Sequence, residues 1–288
     1  MNFTKTSLAG AVLSVGLMVP ASALAATIIG GPGNERLRGT NTADYIDGNG
    51  GNDRIRALAG NDRAIGGLGN DRVFGGRGND VISGVQGNDW LNGGRGDDTI
   101  SGDANAAGDL TSFDRIFGAS GNDTLRGGDS LDRIYGGAGN DNSAGENGND
   151  RMAGGRGNDA QDGGSGNDTI FANRGQDVSN GGEGNDRLWA LARGDVQPGP
   201  NGEVDQNGDT LNGGAGDDVI RTRDGEVDRI TCGEGNDRAR LDDVDVIVDA
   251  VGGNANGSCE TVVRKAPKQQ DSKSEDKQQS PADERKQS

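Results

Sequence analysis

The chain has 288 residues and a formal charge of −17, with 46 Asp and Glu against 29 Lys and Arg and no histidine at all. The acid excess argues against nucleic acid as a main partner, and the lack of imidazole removes Ser-His and Cys-His nucleophile systems and histidine metal sites. With 55 glycines and only 30% hydrophobic residues, an ordinary core cannot offset an ordering entropy of roughly 1–2 kcal/mol per residue. Either the chain is disordered or something outside it supplies the missing free energy.

Residues 1–25 read as a secretory signal. Lys5 gives a positive start, Leu8 to Val19 is apolar, and Ala23-Leu24-Ala25 offers a small-x-small cleavage site, so the mature chain starts at Ala26 and is exported. The apolar stretch is too short to span a bilayer, and no later stretch is longer, which predicts no membrane span.

A nine-residue frame begins at Gly30. It stands clearly at Gly66-Gly67-Leu68-Gly69-Asn70-Asp71-Arg72-Val73-Phe74 and is repeated at once from Gly75 to Ser83. Eight units fill residues 30–101, an insertion follows at 102–108, and ten more units run from Asp109 to Pro198. A second insertion is expected at 199–203. After it come two units at 204–221, one extra residue (Thr222) and two last units at 223–240. The sixth position holds Asp in 21 of these 22 units and Glu35 in the first, so that position is under a strict chemical demand.

Residues 241–263 read as a C-terminal cap, in which Asp242 to Val248 alternates acidic and apolar residues. Cys232 and Cys259 are the only cysteines and, in an oxidising compartment, are expected to bond to each other. Residues 264–288 lack apolar periodicity and read as a disordered tail.

Six residues of glycine, Asn and Asp make a turn, and three residues then make a short strand with one side chain inward and two outward. Turn carbonyls aimed to one side, with a carboxylate at the end, present hard oxygen ligands that suit Ca²⁺. One turn supplies too few, so neighbouring coils must share each ion.

The phrase G-G-x-G-N-D-x-apolar-x resembles the RTX, or haemolysin-type, calcium-binding nonapeptide repeat. The segment Cys232-Gly-Glu-Gly-Asn-Asp-Arg with downstream Cys259 resembles the end of small exported actinobacterial members. The resemblance implies an all-β fold, a right-handed parallel β-roll with two nonapeptides, or 18 residues, per coil. It also implies Ca²⁺ ions between like turns of successive coils, held by turn carbonyls and the sixth-position carboxylates. These are Asp53, Asp62, Asp71, Asp80, Asp89, Asp98, Asp123, Asp132, Asp141, Asp150, Asp159, Asp168, Asp177, Asp186, Asp218 and Asp237. Asp44, Asp114, Asp195 and Asp209 lack the flanking glycine pairs, and Glu35 is longer than Asp.

With two units per coil, odd and even units lie on opposite sheets. The eighth position is apolar in all eleven odd units, from Leu37 and Ile55 through Leu188 to Leu211 and Ile230, whereas Ser143, Gln161, Ser179 and Gln197 occur in even ones. Position seven is Arg in eight odd units: Arg36, Arg54, Arg72, Arg115, Arg133, Arg151, Arg187 and Arg229. Phe74, Trp90, Phe117, Tyr135, Phe171 and Trp189 share that face. Such a row shields a thin sheet by packing and cation–π contact, or docks a cell-envelope glycan or protein. The expected function is that of a secreted, non-enzymatic Ca²⁺-binding protein that folds as the metal binds, with surface adhesion through the Arg–aromatic face as the alternative.

Overall fold

A computed structural model describes residues 25–103, 112–190, 208–250, 254 and 256–265. Among them there is no helix, and thus none long and apolar enough to cross a membrane. The strands form two 12-stranded sheets. The first sheet begins at Thr27–Ile29 and the second at Arg36–Arg38, and successive strands alternate between them, so every ladder is parallel. This is the all-β parallel solenoid that an 18-residue coil predicts.

Alternation of side chains along each strand explains the core. Arg72–Arg77 buries Val73 and leaves Arg72 exposed; Trp90–Arg95 buries Leu91 in the next rung. Stacking at 18-residue spacing makes a single file of fully buried Ile55, Val73, Leu91, Ile116, Ile134, Met152, Ile170 and Leu188 along the second sheet. The first sheet faces it with Ile46, Ala64, Ile82, Ile100 and Leu125, then with buried Ser143, Gln161 and Ser179. Each coil has only two inward side chains, so the core is narrow, and the backbone ladders contribute much of the cohesion.

The turns need glycine where the chain reverses. Gly67 and Gly69 have φ of 111° and 118°. A Cβ on either would run into the carbonyl of the equivalent residue one coil back, Asn49 and Gly51. Coils therefore stack turn on turn only where a side chain is absent.

Register offsets show where residues leave the coil. The turn-to-turn hydrogen bonds span 18 residues in regular coils, 25 across the first insertion and 19 across Thr222. Across the second insertion they span 32, fourteen more than one coil. The sequence frame placed only residues 199–203 outside the coil; those residues, with Asp195 and Gln197, lie outside the described ones. The ladders pass directly from Arg187–Trp189 to Val219–Thr222 and from Val178–Glu183 to Thr210–Ala215. Among the described strands the parity of the later units therefore reverses. Leu211 and Ile230 stand on the first sheet, in register with Ser179, and Arg229 goes with them. Ile220 and Ala239 continue the file of Leu188, and Arg238 joins the arginine row.

The last coil is closed by the disulfide Cys232–Cys259, both sulfurs buried. Ser258 Oγ accepts hydrogen bonds from the N–H groups of Cys232 and Gly233 at 3.0 Å. Residues 1–24 of the expected signal and residues 266–288 of the expected tail lie outside the described residues.

Candidate metal centre

The sixth-position aspartates form two columns, one along each edge where the chain passes between sheets. In every regular coil the backbone N–H of one Asp donates to Oδ1 of the Asp in the next coil, at 2.7–2.9 Å. One column runs through Asp53, Asp71, Asp89, Asp114, Asp132, Asp150, Asp168, Asp186, Asp218 and Asp237. The other runs through Asp62, Asp80, Asp98, Asp123, Asp141, Asp159, Asp177, Asp209 and Asp228. Where an Asn precedes the Asp it works in the opposite direction: Asn52 Oδ1 accepts from Asn70 N–H, and Asn70 Oδ1 from Asn88 N–H. Adjacent turns are zipped both ways, which is the reason for Asn-Asp at positions five and six.

The second carboxylate oxygen is different. In all nineteen of these aspartates Oδ2 is buried and accepts no hydrogen bond from any described residue. It is also aimed consistently. The point a Cβ on Gly66 would occupy lies against Asp71 Oδ2 and Gly84 O, and the same pair recurs as Asp80 Oδ2 with Gly93 O at Gly75 and Asp150 Oδ2 with Gly163 O at Gly145. A carboxylate oxygen and the carbonyl of the next coil thus converge on a space kept open by the first glycine of each turn. A carboxylate oxygen facing a carbonyl oxygen with no donor between them is costly unless a cation or a proton lies there.

The electrostatics say the same. Burial pushes the carboxyls up, to about 6 at Asp71, Asp80 and Asp141, about 8 at Asp89 and Asp150, and about 9 at Asp114 and Asp177. Backbone hydrogen bonds oppose the shift and neighbouring carboxylates of the same column add to it. Among the described residues no three His, Cys, Asp or Glu side chains converge as a transition-metal cluster would. What each turn offers is one carboxylate oxygen among carbonyls, the donor set of a hard cation such as Ca²⁺.

All sixteen carboxylates expected from the sequence stand in the columns with an unsatisfied Oδ2. Three that the glycine pattern did not single out, Asp114, Asp209 and Asp228, stand there on equal terms; their signal was the frame itself, not the flanking glycines. Asp44 is set apart. Thr40, in place of a second-position glycine, donates its N–H and its hydroxyl to Asp44 Oδ2. Glu35 likewise accepts from Gly31 N–H, and at the far end Asp245 Oδ2 accepts from Thr222 Oγ1 and Asp242 N–H. The columns end where side chains or amides take up the second carboxylate oxygen.

The aromatic row packs along itself. Ring centroids are 4.6 Å apart for Phe74–Trp90, 5.2 Å for Trp90–Phe117, 5.1 Å for Phe117–Tyr135 and 4.8 Å for Phe171–Trp189. Arg54 and Arg56 lie over Phe74, and Arg151 over Phe171.

The family model for the RTX calcium-binding nonapeptide repeat (4 copies) matches residues 29–64, 47–82, 57–91, 83–106, 111–142, 144–160, 162–188 and 205–239, together well over half of the chain. No curated protein matches the chain.

Proposed function

Because the chain belongs to the RTX calcium-binding nonapeptide-repeat family, we propose that it is a secreted, non-enzymatic protein whose roll forms as Ca²⁺ binds between its coils. The observation that carries this reading is the pair of buried Asp columns whose Oδ2 atoms face carbonyls with no donor. Asp53 through Asp237 would hold the ions, each with the carbonyl of the next coil's first turn glycine. When bound, Ca²⁺ supplies the positive charge that lets the columns stack. Without it, the buried carboxylates repel one another and the thin core cannot hold the coils together.

Export rests on the signal pattern of residues 1–25, and the non-enzymatic reading on the engagement of the turn carboxylates in the ladder and on the absence of histidine from the sequence. Equilibrium dialysis against ⁴⁵Ca²⁺ tests the metal assignment. Several ions per chain are expected. Failure to retain calcium at millimolar levels, roughly the weak extracellular range, contradicts it. For export, the secreted chain is expected to begin at Ala26 on N-terminal sequencing.

A further inference from the structure

The two sheets have opposite surface chemistry. Strands of the second sheet carry seventeen arginines and no Asp or Glu. Strands of the first carry three arginines and six acidic residues, and Arg126 there is paired with Glu146 at 3.3 Å. In a chain of net charge −17 this segregation puts a basic face on an acidic molecule. Its cations are all guanidinium, since no lysine occurs between residues 26 and 263.

The arginines stand in register. Arg36, Arg54 and Arg72 are direct Cα partners, as are Arg115, Arg133 and Arg151, and Arg77 pairs with Arg95 and Arg156 with Arg174 across the next rows. Arg72, Arg77, Arg95 and Arg156 are exposed and make no ion pair among the described residues. Beside the first row runs a groove of about 510 Å³, lined by Arg36, Arg54 and Arg72 with Asn34, Asn52 and Asn70, and by the carboxylates of half-buried Glu35 and buried Asp53 and Asp71. The oxygens of Asn34 and Asn52 are taken by the N–H groups of Asn52 and Asn70, so the groove turns amide N–H groups and guanidinium groups outward together. Every one of these groups is a donor. Half-buried Phe74 lies alongside, packed against Trp90 and covered by Arg54 and Arg56, so the rings back the guanidinium row.

We propose that the second sheet docks an acidic polysaccharide, a polyuronate chain lying along the roll axis. Guanidinium groups grip carboxylates bidentately, and the aromatic row beneath holds them in place. A rung recurs about every 4.8 Å, comparable to the length of one pyranose in a linear chain. Phosphates of a B-form strand recur every 3.4 Å or so and fall out of step with it. The rings pack against one another, tilted at Phe74–Trp90–Phe117 and stacked at Phe117–Tyr135 and Phe171–Trp189, and form no projecting apolar wedge for a bilayer. The inference depends on the calcium reading in one respect: buried Asp53 and Asp71 line the back of the groove, and a cation in their column offsets their charge.

The test is isothermal titration of the calcium-loaded, full-length protein with short oligogalacturonates, alongside the fully methyl-esterified oligomer, duplex DNA and phosphatidylglycerol vesicles. Binding to the free acid and not to the neutral ester is expected. The triple variant Arg36→Ala/Arg54→Ala/Arg72→Ala is expected to bind at least tenfold more weakly with an unchanged calcium-dependent circular dichroism signal, whereas Arg63→Ala/Arg229→Ala on the other sheet binds as before. Equal binding of the ester, tighter binding of DNA or vesicles, or an unaltered affinity of the triple variant overturns the inference. Should the chain stay folded in chelator, the calcium reading fails, and the docking face still stands or falls on the same arginine dependence.

Discussion

Asp150 illustrates what one side chain does in a column. Its Oδ1 accepts from Asp132 N–H at 2.8 Å while Oδ2, buried and unpaired, shares the space beside Gly145 with Gly163 O. Asp150→Asn keeps one oxygen but puts donors and a neutral group where a cation would sit. The expected result is a calcium-folding midpoint raised several-fold, corresponding to about 1–2 kcal/mol, read by circular dichroism during a calcium titration. Asp44→Asn is the control, because Thr40 already satisfies Asp44 Oδ2, and its midpoint should move much less. Protons compete for the same oxygens. Carboxyls whose folded-state values are raised to between about 6 and about 9 favour the cation-free roll only while protonated. That contribution is complete below their unfolded value near 4 or so and is lost as pH rises through the folded values. In chelator, strand signal is therefore expected to grow as pH is lowered from about 9 towards 4, and a flat pH profile would contradict this account. Most of this site was legible in the residues: an Asp at every sixth position, present even in degenerate units, is how the columns look from the sequence. The division of labour between Oδ1 and Oδ2 was not, since it depends on which backbone N–H lies one coil away.

At the level of the element, the turns carry both strength and strain. Among the described residues seven that are not glycine have positive φ, and six of them, Asn49, Leu58, Val85, Ala119, Glu146 and Asn173, occupy the second position of a nonapeptide. Val85, β-branched with φ of 89°, is the least suited of these. Val85→Gly relieves strain of about 1–3 kcal/mol against a glycine entropy cost of about 0.5–1 kcal/mol. A net gain of about 1 kcal/mol in the calcium-bound form is expected in urea unfolding. The opposite change, Gly67→Val, should cost more, because its Cβ meets Asn49 O. The terminal coil depends on the Cys232–Cys259 bridge, which closes a separation of 27 residues. Cys259→Ser removes roughly 3–4 kcal/mol of chain-entropy stabilisation. In a solenoid that loss stays local, so hydrogen exchange should quicken in Thr261–Arg264 and Val246–Ile247 and leave the central strands protected. The frame located each strand but gave it three residues, whereas most run six, as Arg72–Arg77 does through the glycine pair expected in the turn; the disulfide followed from there being only two cysteines in an exported chain. The parity change did not. Asp195 kept the sixth-position pattern in the sequence and so gave no sign of the offset, and counting residues put Leu211, Ile230 and Arg229 on the wrong sheet.

For the whole molecule, the account joins a thin core, stacked anionic columns and a chain too rich in glycine to order itself. Twelve rungs per sheet at about 4.8 Å make a rod roughly 50 Å long, which exists only if something cancels the charge along its edges. Periodicity made the rod legible in advance. The polarity between its faces was only partly visible, because a row of arginines and a row of acids become separate surfaces once each nonapeptide is assigned to its sheet. Small-angle scattering of the full-length chain through a calcium titration, with circular dichroism on the same samples, tests the central claim most directly. An expanded, strandless ensemble in EDTA is expected to convert cooperatively to a compact rod in millimolar Ca²⁺. A rod of the same dimensions and strand content in EDTA would contradict it.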